Sequence, residues 1–214
     1  MARKAGTTSQ DTEARIYASA LNLFAQYGYA AVSMRQIAAE VGVNQAALYH
    51  YTPTKQDLLA GVLTRHMDGL IAAWKVEDKP ENPIAALDHF TRFHIRYHMP
   101  RPDEIFVSYM ELRSLEDEHF KAITTLRRDY ESGLRDILKR GMDSGAFSMI
   151  DPALSAMAIL SMLTGITTWY KRGGRFSAAD IENHYSKLAL SAVGVDREAM
   201  RQTLMETEQC SMPA

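Results

Sequence analysis

The stretch SMRQIAAEVGVNQAALYHY, residues 33–51, decides the fold. Ser33 and Gln36 stand three apart, the capping-box spacing in which each side chain answers an orphan group at a helix start. The spacing predicts a short helix from Met34 to Val41. Gly42 suits the left-handed backbone that ends such a helix. A second short helix is expected from about Gln45 to His50. Ile37, Ala38, Val41, Val43 and Leu48 fall where the two would face each other, and Ala38 is small enough for a close crossing. Two helices of about two turns joined by a glycine-containing turn are the minimum helix-turn-helix.

That geometry turns Asn44, Gln45, Ala46, Tyr49 and His50 outward. Gln45 can pair with adenine, and Ala46 can touch a thymine methyl. Tyr49, His50, Thr52 and Lys55 stand where phosphates would pass. Ser33 and Arg35, at the start of the preceding helix, can clamp the same backbone. Short helices around a glycine also occur as plain packing pairs, so the motif draws its weight from its surroundings.

Upstream, Ile16, Ala20, Leu23, Phe24 and Tyr27 share one face of a helix expected over 9–27, with a Thr8/Asp11 capping box before it and Gly28 after it. Downstream, Thr52-Pro53 breaks the chain, and the Thr54/Asp57 spacing starts a helix from Lys55 to about Lys75. Glu77–Pro83 reads as a connector. Longer helices are expected beyond it, over 84–99, 103–115, 117–140, 152–171 and 178–193. Asn82-Pro83 and Asp151-Pro152 each put a cap before a first-turn proline, and Ser177 with Asp180 caps the last. The 117–140 helix has a stripe of Phe120, Ile123, Tyr130, Leu134, Ile137 and Leu138, with Gly141 and Gly145 as its stop. No strand alternation is convincing, so the expected fold class is all-α. The expected organisation is a three-helix helix-turn-helix domain over 1–55, a connecting helix over 55–76, a helical domain over 77–195 and a tail over 196–214.

Composition narrows the function. Of 214 residues, 46% are hydrophobic and 23% charged, and the formal net charge is −2. Residues 1–75 hold 7 Lys/Arg against 5 Asp/Glu, whereas the rest holds 17 against 21. Phosphate would therefore tolerate the head and repel the body. The single cysteine, Cys210, excludes an internal disulfide and a thiolate zinc site and fits a cytoplasmic setting. Residues 1–10 carry Arg3 and Lys4 but no apolar run, so no signal peptide is expected. The most apolar stretch, 153–170, contains Ser155, Ser161, Thr164, Gly165, Thr167 and Thr168. It reads as a buried helix, and no membrane partner is expected. His94 and His98 lie four apart with His89 nearby. No cysteine or obvious carboxylate completes a metal set, and Arg92 and Arg96 would repel a cation. No Gly-x-Ser-x-Gly elbow, phosphate loop or dinucleotide fingerprint is present, so neither an enzyme nor a cofactor is expected.

The set of Leu23-Phe24, Gly28, Ser33, Ile37-Ala38, Gly42-Val43, Leu48-Tyr49-His50-Tyr51 and Lys55 closely resembles the N-terminal domain of the TetR family of repressors, over about residues 10–60. Gln45-Ala46 and Thr52-Pro53-Thr54 depart from the usual residues there and leave the operator sequence open. The resemblance implies a regulatory domain over about 80–195 and a homodimer formed through 152–171 and 178–193. It also implies a palindromic double-stranded DNA operator and a small-molecule effector that releases it. Glu111–Leu115, Leu126–Glu131 and Thr168–Arg175 look like a subgroup that controls lipid and steroid degradation, several members of which respond to acyl-coenzyme A thioesters. On that likeness the effector residues are Tyr109, Arg113, Arg127, Tyr130, Trp169, Tyr170 and Arg175. Arginine pairs bidentately with phosphate or carboxylate, and the aromatic rings offer flat faces. Arg127 and Arg128 have an alternative use in pairing with Glu131 on a solvated face. Alternatives within the family are a multidrug or aromatic-compound sensor and an activator. Outside it, the alternative is an all-α enzyme or lipid carrier.

Overall fold

The computed structural model describes residues 9–149 and 151–210, and every regular element among them is helical. In chain order these are α1 (Ser9–Tyr27), α2 (Met34–Val41), α3 (Gln45–Tyr51), α4 (Lys55–Lys75), α5 (Pro83–His98) and α6 (Pro102–Met110). A 3-10 turn over Leu112–Ser114 follows, then α7 (Asp117–Asp143), α8 (Pro152–Thr164), a second 3-10 segment (Gly165–Thr168), α9 (Ala178–Ala192) and α10 (Arg197–Cys210). The expected caps form. Asn82 accepts from the N–H groups of Ile84 and Ala85, Asp151 accepts from Leu154, and Ser177 and Asp180 make a full capping box. The Ser177 donors hold the Asp180 carboxyl below the ordinary value of 3.8. Thr8, expected to cap α1, lies outside the described residues.

The chain divides into two compact units. The first takes the chain up to Gly69 together with Asp103–Leu126. Its core joins Ile16, Ala20 and Phe24 of α1 to Ile37, Ala38 and Val41 of α2, Leu48 of α3, and Leu58, Leu59 and Leu63 of α4. Val107, Leu115 and Ile123 belong to the same core. Polar ties reinforce it. Glu111 accepts the Tyr29 N–H at 3.0 Å. The Gln56 amide donates to the Ser114 carbonyl at 2.7 Å and accepts from the Glu116 N–H at 3.1 Å. His66 Nδ1 lies 2.8 Å from the Glu104 carboxylate. Residues 103–126 thus fold with the N-terminal helices in this unit.

The second unit takes Leu70–Pro102 and the chain from Arg127 onward. It is built around α5, which packs chiefly on α9 and also on α8 and α10. Leu87, Phe90 and Ile95 of α5 are buried, and Trp74 meets Phe90 edge-on at 5.0 Å. The α5–α9 seam is polar. Buried Asp88 accepts from Arg92 and from the Ser186 hydroxyl, while Arg96 pairs with the buried Glu182 at 2.7 Å. Buried carboxylates are tolerated when paired in this way.

Four elements differ from expectation. α6 stops at Met110 instead of running to 115. The Glu111 carboxylate is taken by the Tyr29 N–H and the Ser114 hydroxyl, and the next turn tightens to 3-10. α7 continues to Asp143, past Gly141. Gly141 is a packing site and not a stop, since a Cβ there would lie 2.0 Å from the Phe147 ring. α8 ends at Thr164 instead of 171. The hydroxyls of Thr167 and Thr168 bond back three residues to carbonyls, which favours the 3-10 turn that follows. Finally, the expected tail is a helix, α10. Asp196 accepts from the Glu198 N–H at 2.9 Å, Thr203 is buried, and the helix packs on α5.

Candidate functional site

The outward face of α3 is set by what lies beneath it. Ser33 and Gln36 complete their capping box, so the start of α2 is fixed. Gly42 adopts φ +78°, and its N–H bonds the carbonyls of Ala38 and Ala39. No L side chain adopts that backbone without strain. Asn44 caps α3 by accepting the Ala47 N–H at 2.7 Å. Ile37 and Leu48 are buried, which orients the rest of α3.

Gln45, Ala46, Tyr49 and His50 are consequently exposed, together with Asn44, Ser33 and Arg35. The Gln45 amide donates to the Tyr49 hydroxyl at 3.3 Å, so the two side chains lie along one edge of the helix. Thr52 departs from the expected set. It is buried, and its hydroxyl donates to the Thr54 carbonyl, so it shapes the α3–α4 loop. Lys55 is half-buried and turned back. Its ammonium donates to the Val32 carbonyl at 2.6 Å and sits 4.1 Å from the centre of the Tyr29 ring. Partial burial lowers its pKa from the ordinary 10.5. Arg15 of α1, not anticipated from the sequence, donates to the Val41 carbonyl at the end of α2. That contact joins distant positions and has no local sequence signal. A guanidinium there also suits the negative end of the helix dipole.

The expected effector residues fall in both units. Tyr109 and Arg113 are exposed in the first unit, and the other five belong to the second. Trp169, Tyr170 and Arg175, with Lys171, Gly174 and Phe176, line an open cleft of about 200 Å³. Trp169 stacks with Tyr185, centres 6.4 Å apart and planes at 24°. Arg175 lies 5.1 Å from the Phe176 ring centre. Arg127 is half-buried, and Tyr130 is buried with its hydroxyl 3.1 Å from His94 Nδ1. His94 and His98, considered above only as metal ligands, are buried. Among the described residues no group of three or more His, Cys, Asp or Glu is placed to hold a metal ion. No helix among them is long and apolar enough to cross a membrane.

Two family models match the chain. Residues 16–62 match "Bacterial regulatory proteins, tetR family", and residues 80–193 match "Tetracyclin repressor-like, C-terminal domain". The HTH-type transcriptional repressor KstR2 of Mycolicibacterium smegmatis is 25% identical over 180 residues, covering 81% of this chain and 86% of that protein. A tetR-family regulatory protein from Rhodococcus RHA1 superposes with a TM-score of 0.82 at 29% identity, covering 89% of this chain and all of that one. AibR, solved with isovaleryl coenzyme A and operator DNA, superposes with a TM-score of 0.76 at 25% identity, covering 83% and 97%. With the exposed α3 held on a complete helix-turn-helix and both family models matched in order, the chain belongs to the TetR family of DNA-binding transcriptional regulators, a family of regulators and not of enzymes.

Proposed function

We propose that the protein is a homodimeric repressor that holds a palindromic operator and releases it when an acyl-coenzyme A thioester binds. The reading rests first on the exposed face of α3, where Gln45 and Ala46 offer base contacts and Tyr49 and His50 phosphate contacts. Dimerisation through 152–171 and 178–193 is supported by the surface of α8. Leu154, Met157, Ala158 and Ser161 are exposed at helical spacing, and Leu188 is exposed on α9. An apolar stripe edged by small residues is suited to close helix packing with a second copy.

The thioester is supported by the cleft, where Trp169 and Tyr170 offer faces for an adenine and Lys171 and Arg175 offer cations for phosphates. It is also supported by AibR, which binds isovaleryl coenzyme A. The effector must bind the released state more tightly than the DNA-holding state, or nothing shifts. The test is fluorescence anisotropy on a labelled duplex from upstream of the gene. Octanoyl-coenzyme A, isovaleryl-coenzyme A, free coenzyme A and octanoate are titrated in parallel. Release by a thioester alone is expected, and Trp169→Ala keeps DNA binding while weakening release about tenfold or more. Absence of release by any thioester removes the coenzyme A part and leaves the DNA reading standing.

A further inference from the structure

We propose that residues 111–116 are a working part of the DNA-binding head, although they lie far from the helix-turn-helix in sequence. Glu111 and Gln56 act as positioning residues. They set where α2 begins, and so how firmly DNA is held, without touching DNA themselves. The proposal rests on α2 and α3 being the helices that grip DNA, and it needs no effector.

Four residues, Tyr29 to Val32, join the glycine that ends α1 to the Ser33 cap of α2. Their own backbone does little to fix their path. Among the described residues, the one backbone bond that closes within the segment runs from the Val32 N–H to the Tyr29 carbonyl, at 3.3 Å. Side chains from elsewhere supply the rest. Glu111 accepts the Tyr29 N–H at 3.0 Å. The Lys55 ammonium donates to the Val32 carbonyl at 2.6 Å and lies 3.5 Å from the Ala30 carbonyl. The Tyr29 ring meets Phe24 edge-on at 5.4 Å.

Both polar anchors are backed by 111–116. The second carboxylate oxygen of Glu111 accepts the Ser114 hydroxyl at 2.8 Å, which aims the first at Tyr29. Gln56, next to Lys55 in the first turn of α4, holds the far end of the same turn. It donates to the Ser114 carbonyl and accepts the Glu116 N–H. Burial lowers the Lys55 pKa and the Glu111 charge works against that, so the two anchors also steady each other. All of these residues belong to the first unit. Val107, Leu115 and Ile123 already bind this stretch to the core through apolar contact. Apolar contact is non-directional, whereas hydrogen bonds fix an angle and a distance. Binding groups need support that holds them within about 0.5 Å of the productive geometry. Ser33 and Arg35, exposed at the start of α2, are the groups placed in this way.

The experiment is fluorescence anisotropy of the full chain on the duplex from upstream of the gene and on a scrambled duplex. Hydrogen exchange of the same proteins is read by mass spectrometry. Glu111→Ala and Gln56→Ala are each expected to weaken binding to both duplexes alike, by about tenfold, because contacts at the start of α2 go to phosphate. Glu111→Gln is expected to bind within about twofold of the unaltered protein, since an amide oxygen still accepts the Tyr29 N–H. Exchange over residues 29–36 should rise about tenfold in Glu111→Ala and return in Glu111→Gln, with Tm lowered by no more than about 4 °C in either. Unchanged affinity in Glu111→Ala, a Glu111→Gln variant as weak as Glu111→Ala, or unchanged exchange over 29–36 overturns the proposal. So does a rise in exchange spread over the whole first unit, which would make 111–116 a packing element only. If the unaltered chain bound neither duplex, the DNA reading would fail, and exchange over 29–36 would decide by itself whether 111–116 places α2.

Discussion

At the residue scale, Gln45 and Tyr49 test whether α3 reads sequence. Both are exposed and bonded to each other, yet their chemistry differs. A glutamine amide can satisfy an adenine edge in two places, which discriminates against other bases by about 1–3 kcal/mol. A tyrosine hydroxyl on phosphate carries no sequence information. Gln45→Ala is therefore expected to lose roughly tenfold or more on the operator and little on a scrambled duplex. Tyr49→Ala is expected to weaken both alike. Parallel gel-shift titrations measure this, and an equal loss on both duplexes for Gln45→Ala would contradict a reading role. Lys55 behaves differently from either. Its ammonium anchors the Val32 carbonyl, so Lys55→Ala should disturb the start of α2 as well as any phosphate contact.

At the element scale, sequence reading succeeded wherever a helix is defined by local caps. Ser33/Gln36, Asn82-Pro83, Asp151-Pro152 and Ser177/Asp180 are satisfied within three residues, and the helices they start begin where expected. It failed where distant partners decide. Glu111 ends α6 because Tyr29, 82 residues away in sequence, needs an acceptor. Gly141 stays helical because Phe147 folds over it. Within the site, the outward face of α3 was legible because burial of Ile37 and Leu48 fixes it. The inward turns of Thr52 and Lys55 were not, since a polar side chain next to an interface gives no sign of its direction. α10 was missed because its charged residues masked an Asp196 cap and the spacing of Ala199, Met200 and Thr203. Ending the chain at Asp196 removes α10, which packs on α5 and carries the buried Thr203 and the half-buried Ala199 and Met200. The apolar surface uncovered is worth roughly 2 kcal/mol. In a protein of this size that corresponds to a fall in Tm of about 4–8 °C. Thermal unfolding of the shortened chain measures it, and an unchanged Tm would mean that α10 merely rests on α5.

At the scale of the whole molecule, charge is the argument for the proposed second copy. The net charge is −2, and residues 1–75 carry only a small basic excess. Non-specific attraction to a polyanion scales with the phosphates neutralised, so one head grips DNA weakly. Two heads held on one assembly convert the second contact into an intramolecular one and raise affinity without new contacts. The proposed dimer face supplies the means of testing this, because Leu154 and Met157 lie on α8 in the second unit, whereas α3 belongs to the first. Leu154→Glu puts a charge into the apolar stripe, and a second Glu on the facing copy would add repulsion. The variant is expected to sediment with the mass of one chain, and the unaltered protein with twice that mass. Its operator affinity should fall about 100-fold or more, and its salt dependence should drop to about half the original slope, because only one head then displaces counterions. Sedimentation velocity and operator titrations at two salt concentrations give both readings. A monomer that retained full affinity and slope would show that a single copy of α3 suffices, and the basic residues would then have to be sought beyond those exposed on α2 and α3.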